Sequence, residues 1–433
     1  MCIVSHGISR ALLLLLLSGW WLAGPAPTAH AQHPTCDGTR YYAEIADTFL
    51  LRADLPYGAN TNYAGDSVTL LLDIYEPGGD SATGNRPLVI AAHGGSFLQG
   101  SKTDASIRPF LHALARRGYV VASINYRLDD TQHLIEEALF GDANEAAFQM
   151  VLRAVHDGKA AVRFLRRSVA EAGNPYRIDT NYITFAGGSA GGILALHMAF
   201  FEDFSRYPGL QDTSFLADWG GQEGNSGNPG YSSQVHNLIN IAGAIGDTAW
   251  ITRNDIPLIQ LHGDQDLIVP YGDGGLELGA VNVPLQGSSL VHQRLLNLNG
   301  WSRLQTWQGA GHVPWATGEQ GGEAYLDSAL TFSINNLYEL TCDAPAPVSR
   351  PEPARRFAAE LTVYPNPTTG EVNIMGDFRP GQPLQLRVLD LNGRVVQEEE
   401  LNKPSTHLNL PAGVYIIEVR QGAQVGREKV VLR

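Results

Sequence analysis

Ile183-Thr184-Phe185-Ala186-Gly187-Gly188-Ser189-Ala190-Gly191-Gly192-Ile193-Leu194 is the stretch that decides the fold. An apolar run of strand character leads into Gly187-Gly188-Ser189-Ala190-Gly191, and a helix-like run with Ile193, Leu194, Leu196 and Met198 follows. G-x-S-x-G between a strand and a helix is the context in which a serine is presented on a sharp turn with its oxygen exposed. The small residues Gly187 and Gly191 let the chain turn that sharply. A helix starting just after the serine points free N–H groups at the site and favours negative charge there. Glycine-rich strand-to-helix turns without chemistry share the same five letters, so the surroundings carry the weight.

Upstream, Val68 to Ile74 reads as a strand, and Leu88 to Ala92 is a short apolar run ending in His93-Gly94-Gly95-Ser96. Ile107 to Arg117 has helical spacing, Tyr119 to Ile124 is apolar, and Glu145 to Ala170 favours helix through Ala147, Met150, Val151, Ala154, Val155, Val162 and Leu165. Downstream, Leu238 to Ala244 and Leu258 to Leu261 read as buried strands, Leu304 to Trp307 as a last one, and Glu323 to Leu340 as a closing helix. Strands alternating with helices imply an α/β fold: a mostly parallel sheet with helices on both faces. The Gly-, Asn- and Ser-rich segment from about Ser205 to Gln234 breaks this rhythm and reads as an excursion over the surface near the site, a lid or substrate wall.

A serine hydroxyl is a poor nucleophile until a base takes its proton. His312, in Gly309-Ala310-Gly311-His312, follows a strand near the end of this segment and is the leading base; His93, His197, His262 and His292 read as packing or surface residues. The base needs an orienting carboxylate, and Asp264 and Asp266 compete for that role after the strand ending in Leu261-His262-Gly263, with Asp247 further off. Acyl transfer also needs donors where negative charge develops on the carbonyl oxygen. The N–H of Gly95, with Gly94, and that of Ala190 are the expected oxyanion hole. The chain order Ser, Asp, His is that of α/β-hydrolases. No metal-binding spacing of the H-E-x-x-H kind is present and Cys36 and Cys342 are isolated, so neither a metal nor a cofactor is expected.

The termini differ from this middle. Arg10, the run Leu12 to Leu17, Trp20-Trp21-Leu22 and Ala29-His30-Ala31 follow the order of a secretory signal over residues 1–31. At about 13 residues the apolar run falls short of the roughly 20 a membrane span needs, so no transmembrane anchor is expected. Removal of that segment takes Cys2 with it and leaves Cys36 and Cys342, an even pair that permits a disulfide in an exported protein. Residues 32–342 form the expected catalytic domain. Residues 343–357, with Pro345, Pro347, Pro351 and Pro353, read as a linker. From 358 to 433 the period changes to two, with Asn392-Gly393 between strand-like runs, and a small all-β sandwich is expected. The formal net charge of -14 argues against a nucleic-acid partner.

Residues from about 66 to 340 resemble the carboxylesterase and feruloyl-esterase-like α/β-hydrolases. The resemblance rests on Leu72-Asp73-Ile74-Tyr75-Glu76-Pro77, His93-Gly94-Gly95, Asn125-Tyr126-Arg127-Leu128, the run Asp157 to Arg163, Gly187 to Gly192, His262-Gly263 with Asp266 and Val269-Pro270, and Gly311-His312. It implies a serine esterase with Ser189 as nucleophile, favours Asp266 over Asp264, and points to an ester substrate, free or as acetyl or feruloyl groups on plant polysaccharide. The oxyanion motif reads His-Gly-Gly-Ser and lacks the third glycine of the hormone-sensitive-lipase-like branch, so that branch's preferences do not carry over. The tail resembles the C-terminal sorting domain of type IX secretion cargo through Val363-Tyr364-Pro365-Asn366-Pro367 with Gly370, Asp390-Leu391-Asn392-Gly393, and Leu410 to Tyr415. That implies the type IX machinery as a partner of residues 358–433, and export through the periplasm and outer membrane to the surface or the medium. A serine peptidase of prolyl-oligopeptidase-like type shares the triad order, but the chain leaves no room for a propeller before the catalytic segment. A surface binding protein with a silent hydrolase fold is the rival from a different class.

Overall fold

The computed structural model describes residues 33, 35–82, 84–202, 215–278, 281–318, 321–343, 355–356, 361–375, 378, 383–390, 394–421 and 424–433. The expected signal segment 1–31, most of the expected linker and the Asn392-Gly393 turn lie outside these residues. The chain divides near residue 346 into two compact units.

The first unit is built on β1 (Phe49–Thr61), β2 (Ser67–Pro77), β3 (Arg86–Ala92), α1 (Arg108–Arg116), β4 (Val120–Ile124), α2 (Thr131–Phe140), α3 (Ala143–Glu171), β5 (Ile178–Gly188), α4 (Ala190–Phe200) and α5 (Phe215–Asp218). It continues with β6 (Asn237–Ile241), β7 (Ala244–Ile245), β8 (Leu258–Gly263), β9 (Asp273–Leu278), β10 (Val281–Gly287), α6 (Ser288–Asn297), β11 (Ser302–Trp307) and α7 (Gly322–Tyr338). Eight strands form one sheet in the order β1-β2-β4-β3-β5-β6-β8-β11. Only the β1–β2 and β2–β4 pairings are antiparallel. β5, which leads into the turn at Ser189, runs between β3 and β6.

Both faces of the sheet are covered, and the alternation of side chains along β3 shows how. Leu88, Ile90 and Ala92 join the cluster with α3 and α4, while Val89 and Ala91 join the other with α1 and α7. Every residue of β3 is buried, which is why Leu88–Ala92 reads as an unbroken apolar run. A disulfide links Cys36 to Cys342, 306 residues apart. In the loop-entropy description, closing so long a loop stabilises the unit by about 5 kcal/mol. None of the described helices is long and apolar enough to cross a membrane.

Elements without a sequence signal are those at the periphery. β1 is an edge strand with mostly exposed residues and two register shifts, so it shows no apolar alternation. α2 buries only Leu134. The run expected as one strand over Leu238–Ala244 is two: Ala242 takes φ of 51°, and the chain then leaves the main sheet as β7 to pair with the hairpin of β9 and β10.

The second unit places β12 (Arg355–Arg356), β15 (Leu384–Leu389), β16 (Val395–Leu401), β18 (Gly413–Gln421) and β19 (Gln424–Leu432) in one sheet. β13 (Thr362–Tyr364), β14 (Glu371–Met375) and β17 (Ser405–His407) form the other. Val363, Val372 and Ile374 pack against Leu386, Val388, Ile417, Val419 and Val430, so the two sheets share one core as a β-sandwich. Arg355–Arg356, inside the stretch expected as linker, pairs with Gln424 and Val425 of β19.

Candidate active site

Ser189 sits between the end of β5 and the start of α4 with φ of 53° and ψ of -120°. That left-handed backbone is disfavoured for any residue with a side chain, and neighbours must hold it. The Ser189 N–H donates to Ile241 O at 2.8 Å, tying the turn to β6. The glycines around it are required by close approach. A Cβ on Gly187 would lie 2.1 Å from Gly191 O, and one on Gly191 would lie 2.2 Å from Ala92 O. The elbow is therefore folded onto itself and onto the end of β3.

His312 arrives on the loop after β11, and Asp266 on the loop after β8. Ser189 Oγ donates to His312 Nε2 at 2.9 Å, and His312 Nδ1 donates to Asp266 Oδ2 at 2.6 Å. The two loops are clamped together: Gly309 N–H donates to Asp264 Oδ1 at 2.6 Å and Gln265 N–H to Ala310 O at 3.0 Å. Asp264 thus braces the loops from outside, while Asp266 points inward. Asp266 Oδ1 accepts from the N–H groups of Ile268 and Val269 at 2.8 and 2.9 Å. Burial alone would push this carboxyl up, but hydrogen bonds from His262 and His312 hold it well below the usual carboxylate range.

Parts of the chain are similar to known proteins. The BD-FAE family profile matches residues 72–215, and the secretion system C-terminal sorting domain profile matches residues 362–433. The chain is thus similar to BD-FAE proteins over residues 72–215 and to secretion system C-terminal sorting domains over residues 362–433. Carboxylesterase 3B of Mus musculus is 35% identical over 129 residues, covering 29% of this chain and 19% of that protein. Carboxylesterase 3 of Homo sapiens is 33% identical over 126 residues, covering 28% and 19%. The chain thus spans about a fifth of the length of the curated relatives it matches. Among solved structures, the apo form of Thermogutta terrifontis esterase 2 superposes with a TM-score of 0.46 at 22% identity, covering 68% of this chain and 95% of that one.

In the first unit the loop after β3 approaches Ser189 closely. A Cβ on Gly94 would meet Ser189 Cβ at 3.2 Å, and Gly95 holds φ of 112° with Gln99 O where its Cβ would stand. Ala190 is the first residue of α4, so its N–H has no acceptor within the helix. His93 is buried and stacks on Tyr126 at 4.3 Å, and Nδ1 lies 2.7 Å from Gly94 O. Burial pushes its pKa down, so it orders the loop as a neutral ring. Lys102 Nζ donates to Asp73 at 2.7 Å and pins the far end of the loop to β2.

Two features differ from the sequence expectation. The described part of the 205–234 excursion supplies none of the residues lining the cavity beside Ser189. It is bound down elsewhere: Lys159 Nζ donates to Gln222 O at 2.6 Å, Arg163 Nη1 to Glu223 O at 2.7 Å, and Ser226 Oγ to Asp157 Oδ1 at 2.6 Å. Asp157 also takes a buried, bidentate pair from Arg127. Two stretches quoted for the family resemblance are thus brought together as anchors of this segment, because buried charges demand partners.

His262 is the second. Expected as packing, it donates from Nε2 to Asp266 Oδ2 and Val269 O, both at 3.1 Å, while Ser288 Oγ lies 2.8 Å from Nδ1. With Nε2 as donor, Nδ1 accepts from the serine hydroxyl. Asn240 Nδ2 in turn donates to Ser288 Oγ at 3.1 Å. Asp266 therefore lies between two histidines. The His-Gly at the end of β8, four residues before the aspartate, was the available signal; Ser288, at the start of α6, had none.

Proposed function

We propose that the hydrolase unit is a serine esterase cleaving carboxylic esters through an acyl-enzyme on Ser189. The observation that carries this is the continuous chain of contacts Ser189 Oγ to His312 Nε2 at 2.9 Å and His312 Nδ1 to Asp266 Oδ2 at 2.6 Å. His312 accepts the serine proton as Oγ attacks the ester carbonyl. The N–H groups of Gly95 and Ala190, with Gly94 giving the room, hold the oxyanion. His312 then protonates the departing alcohol. A water molecule, deprotonated by the same histidine, attacks the acyl-enzyme and frees the acid. Asp266 keeps His312 with its proton on Nδ1 and stabilises the imidazolium.

Residues 358–433 direct the enzyme to the type IX secretion machinery, and residues 1–31 to the general export route. The substrate panel for the full chain is acetylated xylan, feruloylated arabinoxylan and simple aliphatic esters, with acid release read by mass spectrometry. Turnover of a chromogenic ester is expected to fall at least about a thousandfold in Ser189→Ala with the melting temperature unchanged. Absence of turnover across the panel by the intact protein would favour the binding-protein alternative.

A further inference from the structure

A cavity of about 480 Å³ opens beside Ser189 and His312 and runs down the α1 face of the sheet. Its walls below the nucleophile are Ala91 on β3 and Phe110, Leu111 and Leu114 on α1, with Val89 and Val121 as the floor. Val89 and Val121 are paired across β3 and β4, and Ala92, three residues above Val89, pairs with Gly187 of the elbow. Three strand residues span roughly 10 Å. From Ile107 to Leu114 α1 descends by a similar length, about 1.5 Å per residue. The polar side chains of the lining, Asp104, Ser106 and Thr317 among them, belong to loops that leave the carboxyl edge of the sheet. The deep half is purely apolar.

We infer that this slot receives the acyl group of the ester and that the acyl group is an unbranched aliphatic chain of about six to eight carbons. The inference rests on the esterase reading of Ser189. The slot takes the acyl part because the alcohol must leave, and water must arrive, on the side of His312 Nε2; a blind apolar slot offers neither an exit nor a water. Acetyl would occupy only the mouth and leave the rest of the cavity unfilled. A feruloyl group would carry its phenol hydroxyl to the floor at Val89 and Val121, where no side chain accepts or donates a hydrogen bond, and that loss is selected against. A saturated chain fills the same space with methylenes alone.

The test is kcat/KM of the full chain on chromogenic esters from acetate to decanoate and on a feruloyl ester. It is paired with equilibrium binding of the free fatty acids to Ser189→Ala. Values are expected to rise about fourfold per added methylene until the slot is full. Octanoate should exceed acetate at least about a hundredfold. Leu114→Phe narrows the deep half of the slot from the α1 wall and should lower the octanoate-to-butyrate ratio about tenfold or more. Turnover that is best on acetate, flat with length, or best on the feruloyl ester overturns the slot assignment and leaves the esterase standing. Fatty-acid binding that tightens with length in a protein without turnover supports the slot and overturns the esterase. Neither turnover nor length-dependent binding overturns both.

Discussion

Ser189 and His312, the proposed nucleophile and base, are held by opposite means. Ser189 is placed by backbone: a left-handed turn, a hydrogen bond to Ile241 O, and two glycines pressed against carbonyl oxygens of the elbow and of β3. His312 is placed by side chains: Asp266, and through it His262 and Ser288. A backbone device has no intermediate setting, because an added carbon atom either fits or forces the strands apart. A side-chain network is graded, because each donor can be removed while the others remain. Damage at the elbow should therefore take fold and activity together, whereas damage at the acid loop should take activity and leave the fold.

Asp266→Asn is the largest expected effect. The asparagine oxygen can still accept from Ile268 and Val269, but its NH₂ then faces two histidine N–H donors. His312 must move its proton to Nε2 and can no longer accept from Ser189. Ester turnover is expected to fall about ten-thousandfold with the melting temperature within a few degrees of the parent. Retention of a tenth of the activity would break the account of Asp266. Gly191→Ala comes next. Its Cβ would stand 2.2 Å from Ala92 O and 2.8 Å from His93 O, both backbone. A loss of about 3 kcal/mol in stability is expected together with about a thousandfold in rate. Activity lost at unchanged stability would show that the elbow is not held as described.

Ser288→Ala probes the graded end of the network. It leaves His262 Nδ1 buried without its donor and loosens the tautomer that serves Asp266. A fall of about tenfold in kcat with KM unchanged is expected, on the scale of one lost buried hydrogen bond. The smallest effect is on acid stability. Burial pushes His197, on the elbow helix α4, down to about 4, partly offset by its hydrogen bond to Ile193 O. Below its ordinary value of about 6.5 the unfolded chain binds a proton that the folded ring refuses. Stability is thus complete above that pH and is lost as pH falls toward 4. The loss is on the order of 3 kcal/mol at the acid limit. Asp266, held low, keeps its contribution until the pH falls well below the carboxylate range. Urea melts from pH 7 to 4 should show His197→Phe losing less stability over this interval than the parent. An equal slope in both would remove His197 from the explanation.

Legibility follows the same division. The elbow could be read from residues because its requirements are local: small residues at fixed offsets between a buried strand and a helix. The central strands β3, β4, β5 and β8 were legible because burial on both faces leaves mostly apolar stretches within them, such as Leu88–Ala92 and Val120–Ala122. β1, α2 and the β9–β10 hairpin were not, since peripheral elements bury too few side chains to imprint a period. The path of residues 215–234 of the Gly-rich excursion was not legible for a related reason, residues 205–214 lying outside the described ones: its composition marks irregular chain, but its anchors on α3 are long-range ion pairs and hydrogen bonds.

By itself, then, the amino-acid sequence determined the α/β alternation, the turn at Ser189, the order of serine, aspartate and histidine, and the presence of a separate all-β tail. These depend on neighbours along the chain. Only the tertiary structure decided that Asp264 faces outward as a brace while Asp266 is gripped by two histidines, that Ser288 stands behind them, and that the space beside the nucleophile runs down between β3 and α1. Those depend on residues far apart in sequence meeting at the carboxyl edge of one sheet, where no periodicity records the distance between them.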